Sequence, residues 1–204
     1  MSTHPGRRER KKERTRRALA DAALRQFTER GFDATTVESI CNEADVAVST
    51  FYAYFPSKES TAFANAESRA ALVERTLAER SAAEPLHLTL RRASHAVVEQ
   101  DSRFRDEVAD RLQLLAREPK LAAYAARLQA ASVERLAAVL ADQMRVDLAR
   151  DPRPSLVISA VLGALNAVWA AWAPDNSNDL RDLVDLAHDT LDAGFEQALT
   201  PPQR

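Results

Sequence analysis

Apolar residues recur at intervals of three and four along most of the chain, which is the spacing of an amphipathic helix. Long runs of β-branched residues, which favour strands, are absent, and only four glycines interrupt the 204 residues. The pattern predicts an all-α fold of about nine helices.

The first helix is expected from about Arg14 to Arg30, where Gly31 ends it as a C-terminal glycine in the left-handed region. Two short helices follow between residues 35 and 58. After them, a fourth helix is expected to run without a break from Lys58 to about Arg80. The remaining apolar stripes predict helices at about 85–100, 102–117, 119–146, 154–173 and 177–199.

The stretch 35–58 is typical of two helices joined by a tight turn. Thr35 and Glu38 have the spacing of a capping box, with Thr35 as the N-cap. The turn is expected at 44–46, with Asp45 in a left-handed conformation, and the second helix at about 48–54. Helices this short are not stable alone and need a third helix to pack on. A helix-turn-helix that reads DNA meets this condition and leaves polar side chains exposed.

The segment Val157–Ala173 is apolar almost all round, so it must be buried on several sides. We expect it to pair with the last helix and to form a four-helix homodimer interface. The alternative is a core helix within one monomer. The segment is shorter than the roughly 20 residues of a membrane span, which predicts a cytoplasmic protein without a membrane segment. Candidate interface residues are Val161, Leu165, Trp172, Leu183 and Leu191.

Charge is distributed unevenly, although the net charge is only −2. Residues 1–58 hold 11 Lys and Arg against 8 Asp and Glu, whereas residues 59–204 hold 17 against 22. The basic excess therefore accompanies the predicted helix-turn-helix, where phosphate attraction would act locally. Residues 1–13 are expected to be a flexible basic arm, which either contacts DNA or only increases solubility.

Catalytic and metal sites find little support in the sequence. The single cysteine, Cys41, excludes a disulfide or a multi-cysteine zinc site within one chain, and we expect it to be buried. Glu84 and His87 have a di-metal spacing, but only one copy occurs. We expect no enzyme activity, no cofactor and no metal.

A specific motif is formed by a threonine pair at 35–36, Ile40, the turn 44–46, Thr50-Phe51-Tyr52, and Tyr54-Phe55 with Lys58. With the preceding Gly31-Phe32 helix stop, this pattern resembles the DNA-binding segment of the TetR family of bacterial repressors over residues 14–60. The resemblance implies a DNA-binding domain at 14–57 and an effector-binding and dimerisation domain at 58–204. Asp45 and Ala47 depart from the glycine and the capping serine that are common in the family.

The resemblance also implies which side chains contact double-stranded operator DNA. Hydroxyl groups and a lysine suit phosphate oxygens, and the first residues of the second short helix would enter the major groove. Val48 could contact a thymine methyl group, while Ser49 could donate or accept a hydrogen bond. The expected contacts are Thr36, Val48, Ser49, Thr50, Tyr52, Tyr54 and Lys58.

A small, lipophilic effector is expected in the C-terminal domain, where it would tilt the helix that begins at Lys58 and so release DNA. Candidate pocket residues are polar or aromatic side chains among apolar neighbours: His95, Phe104, Arg111, Tyr124, Asn166 and Trp169. For Asn166, a ligand contact and a hydrogen bond across the dimer remain equal alternatives. A DNA-binding protein without an effector also remains open.

Overall fold

A computed structural model describes residues 6–102, 105–174 and 177–194. This part of the chain contains helices and no strand, so the predicted all-α fold is confirmed. Ten helices are present in it rather than about nine. They are α1 (Arg7–Arg30), α2 (Val37–Glu43), α3 (Val48–Tyr54), α4 (Lys58–Thr61), α5 (Ala66–Ala78), α6 (Leu86–Ser102), α7 (Arg105–Arg117), α8 (Pro119–Met144), α9 (Arg153–Trp172) and α10 (Leu180–Ala193).

The chain divides into two compact units. The first comprises residues 1–66 and 114–125, and the second comprises 67–113 and 126–204. The core of the first unit is built on Phe27, Phe32, Ile40, Phe51 and Phe55, which are all buried. It also includes the predicted buried thiol of Cys41 and the side chain of Leu121 from the first turn of α8.

Helix α1 begins at Arg7, about two turns earlier than its apolar stripe indicates. The prediction of a flexible arm is therefore wrong for residues 7–13, which are helical, and residues 1–5 lie outside the described residues. The apolar stripe starts only at Ala18 because the first turns have no protein surface to pack on. Arginine, lysine and glutamate have good intrinsic helix propensity, which explains how these turns extend the helix without a core.

The predicted continuous helix from Lys58 to Arg80 is interrupted, so α4 and α5 are separate. The Arg16 guanidinium donates to the carbonyl of Ala64, and the Thr61 hydroxyl donates to the carbonyl of Lys58 at 2.6 Å. These side chains thus bind carbonyl groups in and around the break. The backbone hydrogen bonds there close tighter turns, since the Phe63 amide donates to the Ser60 carbonyl at 3.1 Å. A rigid fourth helix starting at Lys58 therefore does not exist in this structure.

The second unit has two buried clusters. Leu77, Leu90, Leu136, Leu140 and Ile158 form the first, which joins α5, α6, α8 and α9. The second joins α6, α7, α9 and α10 through Val98, Val108, Ala109, Trp172, Leu180 and Val184. The polar contacts between α6 and α10 include Arg91 with Asp189 and the His95 Nε2 atom with the Asp185 carboxylate at 2.8 Å.

Helix α9 differs from its neighbours because one of its faces is uncovered. Its exposed residues follow helical spacing and are mostly small, apart from Arg153 at its start and Leu156, which is 62% exposed: Arg153, Leu156, Ser159, Ala160, Gly163, Asn166, Ala167, Ala170 and Ala171. With 20 residues, α9 is longer than the apolar run suggested. It is the one helix among the described residues that could cross a membrane by length and composition alone.

His188 predicts a pH dependence of stability. Its ring is only 3% exposed, and its Nε2 atom lies 3.0 Å from the Ser94 hydroxyl, which itself donates to Leu90. Burial lowers the pKa of His188, so the folded protein binds fewer protons than the unfolded chain below about pH 6.5. We expect the free energy of unfolding to fall from pH 7 to 5, with a slope of at most about 1.4 kcal/mol per pH unit from this group.

Denaturant unfolding at a series of pH values measures this effect. The variant His188→Gln should flatten the decline between pH 7 and 5, whereas His87→Gln, at an exposed position on α6, should leave it unchanged. Equal slopes in His188→Gln and the parent protein would contradict the assignment. The pKa of Asp185 is also lowered, mainly by the hydrogen bond from His95, but its contribution is lost only below about pH 4.

Candidate nucleic-acid interface

The turn between α2 and α3 closes as a Schellman motif. Asp45 has a φ of 53°, which confirms the predicted left-handed conformation. The Val46 amide donates to the Cys41 carbonyl at 3.0 Å, and the Asp45 amide points to Asn42 at 3.4 Å. These bonds satisfy the last carbonyl groups of α2 and direct the chain into α3. Asp45 thus adopts the left-handed conformation that glycine more commonly adopts at this turn.

The capping box of α2 is shifted by one residue from the prediction. Thr36, not Thr35, is the N-cap, and its hydroxyl accepts from the Ser39 amide at 3.1 Å. Ser39, not Glu38, reaches back to the Thr36 amide at 3.1 Å. Thr35 is instead buried, and its hydroxyl is satisfied there by donating to the Gly31 carbonyl at 2.9 Å.

A buried polar network that the apolar pattern does not reveal holds α2 against α1. Gln26 is 2% exposed and donates to the Ser39 carbonyl at 3.1 Å and to the Glu43 carboxylate at 2.6 Å. Arg25 adds an ion pair to Glu43 at 2.8 Å. The hydrogen bond from Gln26 is the main reason why the pKa of Glu43 is lowered. In the sequence, this network is indicated by the amide side chain of Gln26, which occupies a core position in the apolar stripe of α1.

Helix α3 has one buried and one exposed face. Phe51 and Phe55 point into the core, with their ring centroids 5.8 Å apart. Ala47 provides no side-chain cap, as its identity predicts. The opposite face exposes Val48, Ser49, Ala53 and Tyr52, the last to 59%. The hydroxyls of Ser49 and Tyr52 have no hydrogen-bond partner in the described part of the chain. Ala53 was not predicted as a contact, although it is exposed on the same helix.

The other predicted DNA contacts are less exposed or lie elsewhere. Thr50 and Tyr54 are half-buried at the edges of α3, and Tyr54 packs against the core. Thr36 is exposed at the start of α2. The structure therefore brings Val48, Ser49 and Tyr52 together on one surface, with Thr50 and Tyr54 beside it.

Lys58 occupies a position that its predicted role did not suggest. Its ammonium group donates to the carbonyls of Phe32 and Thr35, both at 2.6 Å, and lies 4.1 Å from the centre of the Phe32 ring. Burial lowers the pKa of Lys58. In this conformation the side chain joins the start of α4 to the loop between α1 and α2, and its charge is engaged inside the unit.

The candidate effector residues that the structure describes have different local surroundings. Tyr124 belongs to the first unit, where its ring stacks on Phe63 at 5.3 Å. Asn166 is exposed and donates to the Gln129 side chain at 2.8 Å. His95 is paired with Asp185, and Trp169 packs edge-on against Trp172 at 5.9 Å. Arg111 is half-buried in the second unit, and the side chain of Phe104 lies outside the described residues.

The candidate dimer residues lie mainly inside the chain's own clusters. Val161, Leu165 and Leu183 are half-buried against them, and Leu191 is exposed. Trp172 is 1% exposed in a single chain, and its Nε1 atom donates to the Asn178 carbonyl at 3.2 Å, so its side chain packs within its own chain. The uncovered face of α9 lies between the predicted positions because the apolar side chains turn inward and the small ones outward.

Within the described residues, no three His, Cys, Asp or Glu side chains are placed to hold a metal ion. Asp185 and His188, which share a face of α10, contact different partners on α6.

Comparisons with known proteins agree with this architecture. A family model described as bacterial regulatory proteins of the tetR family matches residues 19–63, and one described as the MftR C-terminal domain matches residues 84–196. The HTH-type transcriptional regulator TcmR of Streptomyces glaucescens is 33% identical over 96% of this chain and 85% of its own length.

Two solved structures share the fold. The fatty acid degradation regulator FadR from Bacillus halodurans superposes with a TM-score of 0.61 at 23% identity, covering 87% of this chain and 98% of that one. The FadR repressor from Thermus thermophilus, solved with lauroyl-CoA, gives 0.57 at 21% identity, covering 93% and 97%. The helix-turn-helix match and the full-length similarity to TcmR lead to the same conclusion: the chain belongs to the TetR family of transcriptional regulators.

Proposed function

We propose that this regulator is a cytoplasmic repressor that binds an inverted-repeat operator as a homodimer and is released by a small lipophilic molecule. The observation that carries the proposal is the exposed face of α3, where Val48, Ser49 and Tyr52 lie on the opposite side from buried Phe51 and Phe55. Such a face is sized for the major groove. It offers hydroxyl groups and a small apolar side chain but no bidentate base contact. DNA shape and phosphate contacts should therefore contribute much of the affinity.

The homodimer is supported by the uncovered face of α9. Only 17% of the most apolar 18-residue stretch of this helix is buried within the chain. Gly163 and the neighbouring alanines would allow a second copy of α9 to approach closely, and Leu186 on α10, 61% exposed, would extend the contact. A two-fold pairing of α9 and α10 from each chain gives a four-helix bundle. Two recognition helices would then read half-sites about one turn of DNA, or a multiple of it, apart.

The effector proposal is limited to a chemical class. The T. thermophilus relative was solved with lauroyl-CoA, and the second unit of this chain offers a largely apolar interior that includes half-buried Trp169. An acyl chain or another lipophilic group would suit such surroundings. Because α4 has only four residues, the effector would not act by tilting a long fourth helix. Helix α8, which contributes residues 119–125 to the first unit and 126–144 to the second, is a more direct route.

The alternative is a DNA-binding protein without an effector. Thermal unfolding with lauroyl-CoA, and with coenzyme A alone as the control, distinguishes the two. A rise in the unfolding midpoint with the acyl compound alone supports a lipophilic effector. Stabilisation by neither compound, nor by a broad set of lipophilic molecules, favours the alternative.

Selection of bound fragments from the source genome tests DNA binding itself. We expect enrichment of an inverted repeat by the parent protein and loss of enrichment in the variant Ser49→Glu, whose carboxylate would repel phosphates on the exposed face of α3. Ser81→Glu, the same substitution at an exposed position between α5 and α6, is the control for general damage. Enrichment of no sequence by the folded parent protein would contradict the proposal.

A further inference from the structure

The first turns of α1 carry a strip of basic side chains on one particular face. Counting back in steps of three and four along the helix, the face buried through Phe27, Ala23 and Leu19 continues through Arg16, Lys12 and Arg8. Arg8 and Lys12 are exposed, whereas Arg16 is half-buried. The same face of one helix thus changes from apolar to basic at the point where the protein core ends.

Arg16 shows where this strip lies relative to the recognition helix. Its guanidinium carbon is 5.4 Å from the centre of the Phe55 ring, and Phe55 directly follows α3. Lys12 and Arg8 lie one and two turns further along α1, about 6 and 12 Å from Arg16 along the helix axis. They lie on the same face of α1 as Arg16, which is the face that contacts the residue following α3.

Charge and composition identify the kind of partner. Residues 7–17 contain eight Lys and Arg against two Glu and no apolar side chain, so the segment cannot insert into a lipid surface. Cations at a helix N-terminus oppose the helix dipole, and Gly6 supplies no side-chain cap. The first turns are thus electrostatically disfavoured by themselves, and a polyanion would relieve this.

We propose that Arg8 and Lys12 form a phosphate-binding strip that contacts DNA flanking the base pairs read by α3. This inference rests on the proposed DNA-binding function and assigns a second contact surface to it. The strip lengthens the footprint on DNA and adds affinity without sequence preference. Binding also stabilises the first two turns of α1, because phosphates neutralise the charges that oppose the helix dipole.

The test compares two variants of equal charge. Arg8→Gln/Lys12→Gln removes the strip, whereas Arg7→Gln/Arg14→Gln removes two exposed charges from the other side of the same helix. Fluorescence anisotropy measures the affinity of each full-length protein for a selected operator at several salt concentrations. Each lost phosphate contact lowers the slope of log K against log salt by about 0.9, so the strip variant should lose about 1.8 per protomer. The other-face variant should lose much less.

Operators with and without about ten flanking base pairs on each side give an independent readout. Trimming the flanks should weaken binding of the parent protein and the other-face variant but have little effect on the strip variant. Equal slopes in the parent and strip variant, or equal losses in both double variants, would overturn the strip while leaving the proposed function intact. Failure of the parent protein to bind any selected fragment would overturn both. Circular dichroism of the free variants confirms that they are folded.

Discussion

Phe51→Ala is expected to lower stability and Tyr52→Ala to weaken operator binding, although the two residues are adjacent. Phe51 is 0% exposed and is buried in one cluster with Phe55 and the core residues of α1. Phe51→Ala should therefore lower the free energy of unfolding by about 3 to 5 kcal/mol. Tyr52 is 59% exposed, so Tyr52→Ala should change stability by less than about 0.5 kcal/mol. Its effect should appear in operator binding, because the lost hydroxyl can donate to a charged phosphate oxygen.

A hydrogen bond to a charged group is worth about 1.5 to 3 kcal/mol, so Tyr52→Ala should weaken operator binding by roughly tenfold or more per half-site. Denaturant unfolding and anisotropy on a selected operator measure the two effects separately. Tyr52→Phe keeps the ring, which packs edge-on against Phe51 at 5.3 Å, and removes only the hydroxyl. If Tyr52→Ala bound the operator as tightly as the parent protein, the exposed face of α3 would lose its assigned role.

Features set by neighbouring residues in the sequence could be predicted well. The limits of α3 follow from the turn before Val48 and from Pro56 after it, and the left-handed Asp45 follows from the need to reverse the chain in a few residues. The apolar stripe of α1 correctly located the helix that supports α2 and α3. These signals are local, and the core enforces them, so tertiary contacts had little opportunity to change them.

Features set by contacts between distant residues could not be predicted from the pattern. At the break between α4 and α5, Arg16 binds a carbonyl 48 positions away, a contact that no local pattern indicates. The engagement of Lys58 depends on the loop carbonyls of Phe32 and Thr35. A lysine in a DNA-binding motif has the same sequence signature whether its ammonium group faces phosphate or carbonyl oxygens. Only the folded positions of those oxygens distinguish the two.

Alanine at Trp172 is expected to destabilise the second unit itself rather than only a dimer. Trp172 is 1% exposed within one chain, its Nε1 atom donates to Asn178, and its ring packs edge-on against Trp169. Trp172→Ala should therefore lower the free energy of unfolding by about 3 to 5 kcal/mol. The loss should also be present at protein concentrations where the chain is monomeric, which denaturant unfolding at a series of dilutions can measure.

Glutamate at Gly163 is the matched counterpart on the same helix. Among the described residues, no atom outside the adjacent helix backbone lies within 4 Å of a Cβ placed there, and replacing a helical glycine should increase helix stability by up to about 1 kcal/mol. The monomer should thus tolerate Gly163→Glu, while a charged side chain on the uncovered face of α9 should prevent close approach of a second copy. Sedimentation should show a folded monomer for Gly163→Glu. A dimer that persists in Gly163→Glu but dissociates in folded Trp172→Ala would restore Trp172 to the interface and require a different pairing of the helices.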